Sequence, residues 1–158
     1  MASFSQTHKK LNEEQREEVF GKVIKNKSLE YALGWVSAKE IDDIGMARAA
    51  HLVLRRAVNN LDTKVDHVMV DGFKIKGLEI SQENIIKGDQ KVYSIALASI
   101  IAKVSRDRHM ERLAKKYPKY GFDEHKGYGT KKHQLAIKEF GICKEHRKCF
   151  KPILKILK

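Results

Sequence analysis

At 158 residues the chain has the size of one domain, and a hydrophobic content of 42% supports a packed core, which excludes a disordered tail. Thirty-two Lys and Arg against twenty Asp and Glu leave a net charge of +12, which favours a polyanionic partner. No apolar run approaches the roughly 18–20 residues of a membrane span, and the N-terminus lacks the apolar stretch of a signal peptide, so the expectation is a cytoplasmic protein with no membrane contact.

Residues 1–8 carry no pattern. Asn12 with Gln15 has the spacing of a capping box, with Leu11 as a hydrophobic staple, and predicts a helix to about Asn26 that buries Val19, Phe20, Val23 and Ile24. Leu29, Tyr31, Leu33 and Trp35 alternate with polar or small residues, which predicts a half-buried strand over 29–36. Ser37 and Glu40 form a second capping box over a short helix. Met46, Ala50, Val53, Leu54, Ala57 and Leu61 then mark one face of a longer helix, with Arg48, Arg55 and Arg56 as its solvated side.

His67-Val68-Met69-Val70 is a short β-prone run followed at once by Asp71-Gly72, which places a carboxylate at the C-terminal end of a strand. A loop or short strand is expected at 76–80 and another short strand at Ile85-Ile86. Asp89 follows Asp71 by 18 residues, in Lys87-Gly88-Asp89, just ahead of a helix from Val92 to Tyr117. A helix start favours an ionised carboxylate. Asp71 and Asp89 are therefore candidates to share a divalent metal ion, although Asp-Gly is also a common turn pair and ordinary turn residues remain open at this point.

The first half of the 92–117 helix is apolar nearly all round, which predicts burial against a sheet. The second half becomes charged, and Asp107 between two arginines is a candidate third acidic ligand but more in keeping with a local ion pair on an exposed helix. Tyr117-Pro118 breaks the helix, a Gly- and aromatic-rich loop runs to Gly129, and Thr130 caps a helix apolar at Leu135, Ile137 and Phe140 and ended by Gly141. The basic tail has the pattern of a terminal amphipathic helix. Cys143 and Cys149 bracket His146 but do not supply the four ligands of a zinc site. Two reduced thiols suit a cytosolic protein, with a single disulfide left open. Strands alternating with helices give an α/β class with helices covering a sheet.

VDGF, IIKGDQKVYSIALASIIAKVSRDRHM, YGFDEHKGYGT and EHRKCF at 145–150 resemble, in order and with similar gaps, successive motifs of bacterial ribonuclease HII, the type 2 ribonuclease H. The similarity covers about 9–152, after the unpatterned 1–8 and before a basic tail at 153–158. It implies a ribonuclease H-like fold and an endonuclease that hydrolyses the RNA strand of RNA–DNA hybrids, or ribonucleotides embedded in duplex DNA. The chemistry implied is two-metal-ion catalysis, in which Mg2+ or Mn2+ stabilises charge on the attacking water and the leaving 3′ oxygen. The family's four catalytic, metal-binding carboxylates comprise an Asp-Glu pair in D-E-x-G-R-G and two further Asp, which carry over onto Asp71 and Asp89. The Tyr of its K-G-Y motif, which stacks on the deoxyribose at an RNA–DNA junction, carries over onto Tyr128. Lys87, Lys91, Lys103, Arg106, Lys126 and Arg147 are, by their charge and not by the resemblance, candidates to contact phosphates, and of these Lys126 and Arg147 are singled out as nucleic-acid-binding.

No D-E-x-G-R-G occurs in the chain, and His8-Lys9-Lys10-Leu11 resembles the S-K-K-L motif that follows the opening strands of the family. The expectation is an incomplete, N-terminally truncated ribonuclease H-like fold, lacking the first strands with the Asp-Glu motif. Such a chain is monomeric and impaired or inactive by itself. The alternative is a non-catalytic nucleic-acid-binding remnant of the family.

Overall fold

Asn12 does start the first helix. Its side-chain oxygen accepts the Gln15 amide at 2.8 Å while the Gln15 side chain accepts the Asn12 amide at 3.0 Å. Helix α1 then runs Glu13–Lys25. The computed structural model describes residues 11–157, so the unpatterned 1–8 and the His8-Lys9-Lys10 part of the motif lie outside the described residues. Helix α2 (Ala38–Ile44) opens on the same kind of box between Ser37 and Glu40, and α3 spans Met46–Asn59. Strands β1 (His67–Asp71) and β2 (Ser81–Ile85) follow, then α4 (Gly88–Lys91) and the long α5 (Tyr93–Lys116). A 3₁₀ turn at Pro118–Tyr120, α6 (Phe122–His125), α7 (Lys131–Phe140) and α8 (Lys151–Leu157) complete a helix-rich α/β chain.

The chain divides into two compact units, one of residues up to Trp35 with His51–Val104, the other of Val36–Ala50 with Ser105–Lys158. In the first, Phe20 and Val23 of α1 pack against Leu97, Ile100, Ile101 and Val104 of α5, with Leu11, Val19 and Leu33 around them. Each such side chain is worth about 1.5–3 kcal/mol of transfer free energy. The buried residues of this half of α5 lie on one side, because Ser94, Ala98, Ser99 and Ala102 form an exposed stripe of small side chains. That corrects the expectation of burial all round. The sheet of the described residues has two parallel strands, in register from His67 with Ser81 to Asp71 with Ile85. Ser81-Gln82-Glu83-Asn84 lacks apolar alternation, so periodicity had no signal for β2. Its Gln82 side chain instead accepts the Ile75 amide at 2.8 Å and donates to the Ile75 and Leu78 carbonyls, tying down the connection from β1.

The strand expected over 29–36 does not form. That segment lies along α3 in irregular extended backbone and is held by side chains rather than a ladder. Arg56 donates to the Trp35 carbonyl at 2.6 Å and Asn60 to the Leu33 carbonyl at 2.9 Å. The Glu30 carboxylate accepts the Asp62 and Thr63 amides beyond the end of α3. Arg55 likewise donates to the Lys76 carbonyl at 2.9 Å. Two of the arginines assigned to a solvated face are thus half-buried ties.

In the second unit Met110 and Leu113 of α5 pack with Tyr120, Phe122, Ala136, Ile137 and Ile153. Tyr120 and Phe122 stack with centroids 5.4 Å apart. Thr130 caps α7 through the His133 amide and Gly141 ends it with φ +74°, but Leu135 is 64% exposed while His133 takes a core position. Asp107 is 7% exposed, not on an outward face. Both cysteines are free thiols. Among the described residues no helix is long and apolar enough to cross a membrane.

A Cβ on Gly34 would stand 1.9 Å from the Val53 carbonyl oxygen and 2.8 Å from the Ala57 amide nitrogen. Neither backbone atom can yield, so Gly34→Ala must lift the 29–36 segment off α3. The expected loss is about 3 kcal/mol, the upper end of overpacking costs. In thermal unfolding this is a fall in Tm of roughly 6–12 °C for a chain of this size.

Candidate functional site

β1 delivers Asp71 to its C-terminal end, opposite Ile85 of β2. Gly72 turns the chain away with φ +82°, and its amide still pairs with the Ile85 carbonyl at 3.0 Å. Past Ile85, Lys87 takes a left-handed conformation, φ 57° and ψ 42°, that brings Gly88 back under the end of β1. The Gly88 amide donates to Asp71 Oδ1 at 2.8 Å. Asp71 is therefore held against the residue that precedes Asp89. Asp71 itself is exposed, whereas Asp89, in the first turn of α4, is only 8% exposed.

Carboxylate oxygens are the donors that a hard divalent cation takes. One oxygen of Asp71 is already engaged by the Gly88 amide, and among the described residues no group of three His, Cys, Asp or Glu side chains is placed to hold a metal ion. Asp71 and Asp89 thus suit such an ion in donor type but not in number, and a pair of ions cannot be assembled from them alone.

The second unit carries Tyr128, Lys126 and Arg147. Tyr128 is 60% exposed, at the tip of the loop between α6 and α7. Its amide donates to the His125 carbonyl at 2.8 Å, and its carbonyl accepts from the Thr130 amide at 2.8 Å and from His133 Nδ1 at 2.9 Å. Lys126 is left-handed with φ 48°; its ammonium lies 2.6 Å from the Glu111 carboxylate and its side chain is 13% exposed. Arg106 donates to the Lys126 carbonyl at 3.3 Å. Arg147 is half-buried, with its guanidinium 4.7 Å from the centre of the Phe150 ring and one nitrogen 3.9 Å from the Met46 sulfur. Of the three, Tyr128 presents the most surface to solvent.

Two features escaped sequence reasoning. His125, His133 and His146 form a buried cluster behind the Tyr128 loop, with the His125 and His133 rings stacked 4.2 Å apart. The available signal was three histidines in the most aromatic stretch of the chain. Asp42 of α2 accepts the Lys148 amide at 2.9 Å and the Cys149 amide at 2.8 Å, so it clamps the segment that bears Arg147. That contact spans more than a hundred residues, and no local pattern announces it.

A family model described as Ribonuclease HII matches residues 6–155. The chain is 45% identical over 146 residues to a ribonuclease HII from Shouchella clausii, covering 92% of this chain and 56% of that one. It is 47% identical over 142 residues to a ribonuclease HII from Clostridioides difficile, covering 90% of this chain and 55% of that one. The chain thus spans little more than half the length of these relatives. Among solved structures, the ribonuclease H2 from Pyrococcus horikoshii superposes with a TM-score of 0.74 at 28% identity, covering 97% of this chain and 80% of that one. The α/β arrangement is accordingly that of a type 2 ribonuclease H.

The Asp42 clamp gives a test of how the 145–150 segment is held. The Cys149 thiol, then the Cys149 amide, hold the Asp42 carboxyl below its ordinary range, against a smaller opposing effect of burial. The stabilisation is therefore complete above the unfolded pKa of about 3.9 and is lost as pH falls through the lower folded value. Asp42→Asn keeps one acceptor and loses the charge. It should cost no more than about 1 kcal/mol in denaturant unfolding at neutral pH, because solvent screens the carboxylate, and remove this group's contribution to acid sensitivity.

Proposed function

This chain belongs to the ribonuclease HII family, and from that premise we propose that it supplies the nucleic-acid-binding surface and two metal-binding carboxylates of that family's endonuclease. The substrate is the RNA strand of an RNA–DNA hybrid, or a ribonucleotide embedded in duplex DNA. Asp71 and Asp89 are the catalytic, metal-binding residues, and the cation is Mg2+ or Mn2+. Tyr128 stacks on the sugar at the RNA–DNA junction, with Lys126 and Arg147 near the backbone. The folded chain is a cytoplasmic monomer.

The observation that carries this reading is the 2.8 Å bond from the Gly88 amide to Asp71, which fixes one carboxylate beside the turn bearing the other. When bound, a pair of divalent ions supplies charge stabilisation at the attacking water and the leaving 3′ oxygen. What the chain's own residues do is narrower: the Gly88 amide orients Asp71, α4 orients Asp89, and the loop between α6 and α7 presents Tyr128. Two carboxylates cannot support a pair of ions, so the chain alone does not cleave at a useful rate. The second reading, a non-catalytic nucleic-acid-binding chain, is favoured by the lack of a third converging metal-ligand side chain among the described residues.

The test assays the 158-residue chain with Mg2+ and with Mn2+ on a duplex containing one ribonucleotide, alone and after fusion of a family D-E-x-G-R-G segment ahead of Lys9. Cleavage is expected only from the fusion, and Asp71→Asn should abolish it. Appreciable cleavage by the unfused chain, lost in Asp71→Asn, would overturn the requirement for that segment. A fusion that binds the duplex but never cleaves leaves the second reading in possession. Affinity of the unfused chain for the duplex should fall by orders of magnitude between about 50 and 200 mM salt if several phosphates are contacted. Tyr128→Ala should weaken binding to the ribonucleotide duplex more than to plain DNA.

A further inference from the structure

The three histidines behind Tyr128 have ring nitrogens whose partners fix every proton. A carbonyl can only accept and a backbone amide can only donate. His125 Nδ1 receives the Gly127 amide at 3.1 Å, so its proton is on Nε2, which faces the Tyr120 carbonyl at 2.7 Å. His146 Nδ1 receives the Cys143 amide at 3.0 Å, so its proton is also on Nε2. That nitrogen lies 3.0 Å from His133 Nε2, which must accept. His133 therefore carries its proton on Nδ1 and gives it to the Tyr128 carbonyl at 2.9 Å. One directed chain of donors runs from the Cys143 amide through His146 and His133 to Tyr128. A second runs from the Gly127 amide through His125 to Tyr120.

Every ring in this arrangement is neutral, and each remaining lone pair already faces an N–H. A proton added to His133 would oppose His146 Nε2–H, and one on His146 would oppose the Cys143 amide. At either ring no imidazolium fits without breaking a bond that leads to the Gly127-Tyr128 backbone or to its support. We infer that His133 and His146, with His125 bracing the Gly127 amide beside them, are positioning residues for Tyr128, a latch that holds the loop while His133 and His146 are neutral and releases it, with its nucleic-acid contact, when they take up a proton. This rests on the reading of Tyr128 as a nucleic-acid contact.

The surroundings agree with the sign. Burial is the main cause that pushes His133 and His146 below the ordinary histidine range, and the neighbouring histidines push the same way. The Tyr128 carbonyl opposes this at His133, and Cys143 and Glu145 oppose it at His146. Cys143 Sγ stands 3.1 Å from His146 Nδ1 as a protonated thiol, its pKa raised chiefly by burial, and Tyr120 is likewise raised by burial. On the far side of His125, Lys132 is paired with Glu124. Because the folded values of His133 and His146 lie below the unfolded one, the latch is fully stabilising above about pH 6.5 and weakens as pH falls through those folded values.

The test uses the wild-type chain and needs no variant for its main result. Imidazole nitrogen–proton correlation spectra at about pH 8 should show Nε2–H for His125 and His146 and Nδ1–H for His133. Lowering the pH to about 5.5 should shift or broaden the Gly127 and Tyr128 amide resonances while far-UV circular dichroism is retained. Affinity for a labelled duplex containing one ribonucleotide should fall at least several-fold more steeply than that of His133→Asn, whose carboxamide can donate to Tyr128 without titrating. A different tautomer pattern, or loop resonances unmoved over that range, overturns the inference. A moving loop with flat binding overturns it too if Tyr128→Ala weakens binding at pH 8. If Tyr128→Ala changes nothing at pH 8, the assignment of Tyr128 as a contact fails instead, while the tautomers and loop shifts still establish the latch.

Discussion

The bond from the Gly88 amide to the Asp71 carboxylate ties together most of what matters in the first unit. It joins the end of β1 to the start of α4, and an added side chain at position 88 would make the end of Ile95 shift. A Cβ there would stand 2.7 Å from the end of Ile95, 3.4 Å from Ile85 Cβ and 3.5 Å from Asp71 Cα. The three neighbours are a β2 side chain, the backbone of Asp71 at the end of β1 and the first buried turn of α5. Strand pairing, helix packing and the orientation of an acidic side chain are therefore settled in one crowded place. A change that relaxes any of them moves the others.

The same device recurs in the second unit. In both Lys87-Gly88 and Lys126-Gly127 the lysine adopts a left-handed backbone, and Asp89 or Tyr128 follows directly after the glycine. For a side chain with a Cβ this conformation costs about 1–2 kcal/mol, so it persists only where surrounding bonds over-determine it. At Lys87 these are the Gly88 bond to Asp71 and the Gln90 amide on the Lys87 carbonyl at 3.0 Å. At Lys126 they are the Glu111 ion pair, the Arg106 bond and the Lys126 amide on the Phe122 carbonyl. The strain is local and sits one residue from each glycine that turns the chain into a candidate site residue.

Features written in adjacent residues were legible in the sequence. Both capping boxes, the strand ending on Asp71, the break at Tyr117-Pro118 and the Thr130 cap formed where their motifs stand. The 29–36 segment misled because its alternation is real, yet its carbonyls are taken by Arg56 and Asn60 from 21 and 27 residues away. Periodicity reports which side chains face inward and not which group satisfies the backbone. The site divides the same way. Asp71, Asp89 and Tyr128 were chosen through motifs whose spacing has meaning, whereas Lys126 and Arg147 were chosen largely on charge. Their engagement with Glu111 and Phe150 depends on tertiary placement that charge does not encode.

The clamp between α2 and the 145–150 segment also sets the temper of the chain's sulfur. Thiols react as thiolates, and reactive ones sit in electropositive surroundings. Here the Cys149 thiol lies against the ionised Asp42 carboxylate, which raises its pKa despite the opposing pull of Arg147, and burial raises that of Cys143. Both sulfurs are kept in the protonated, poorly nucleophilic form. Alkylating agents and mild oxidants should therefore attack them slowly, although Cys149 is open to solvent, and loosening Asp42 would quicken the attack at Cys149 first.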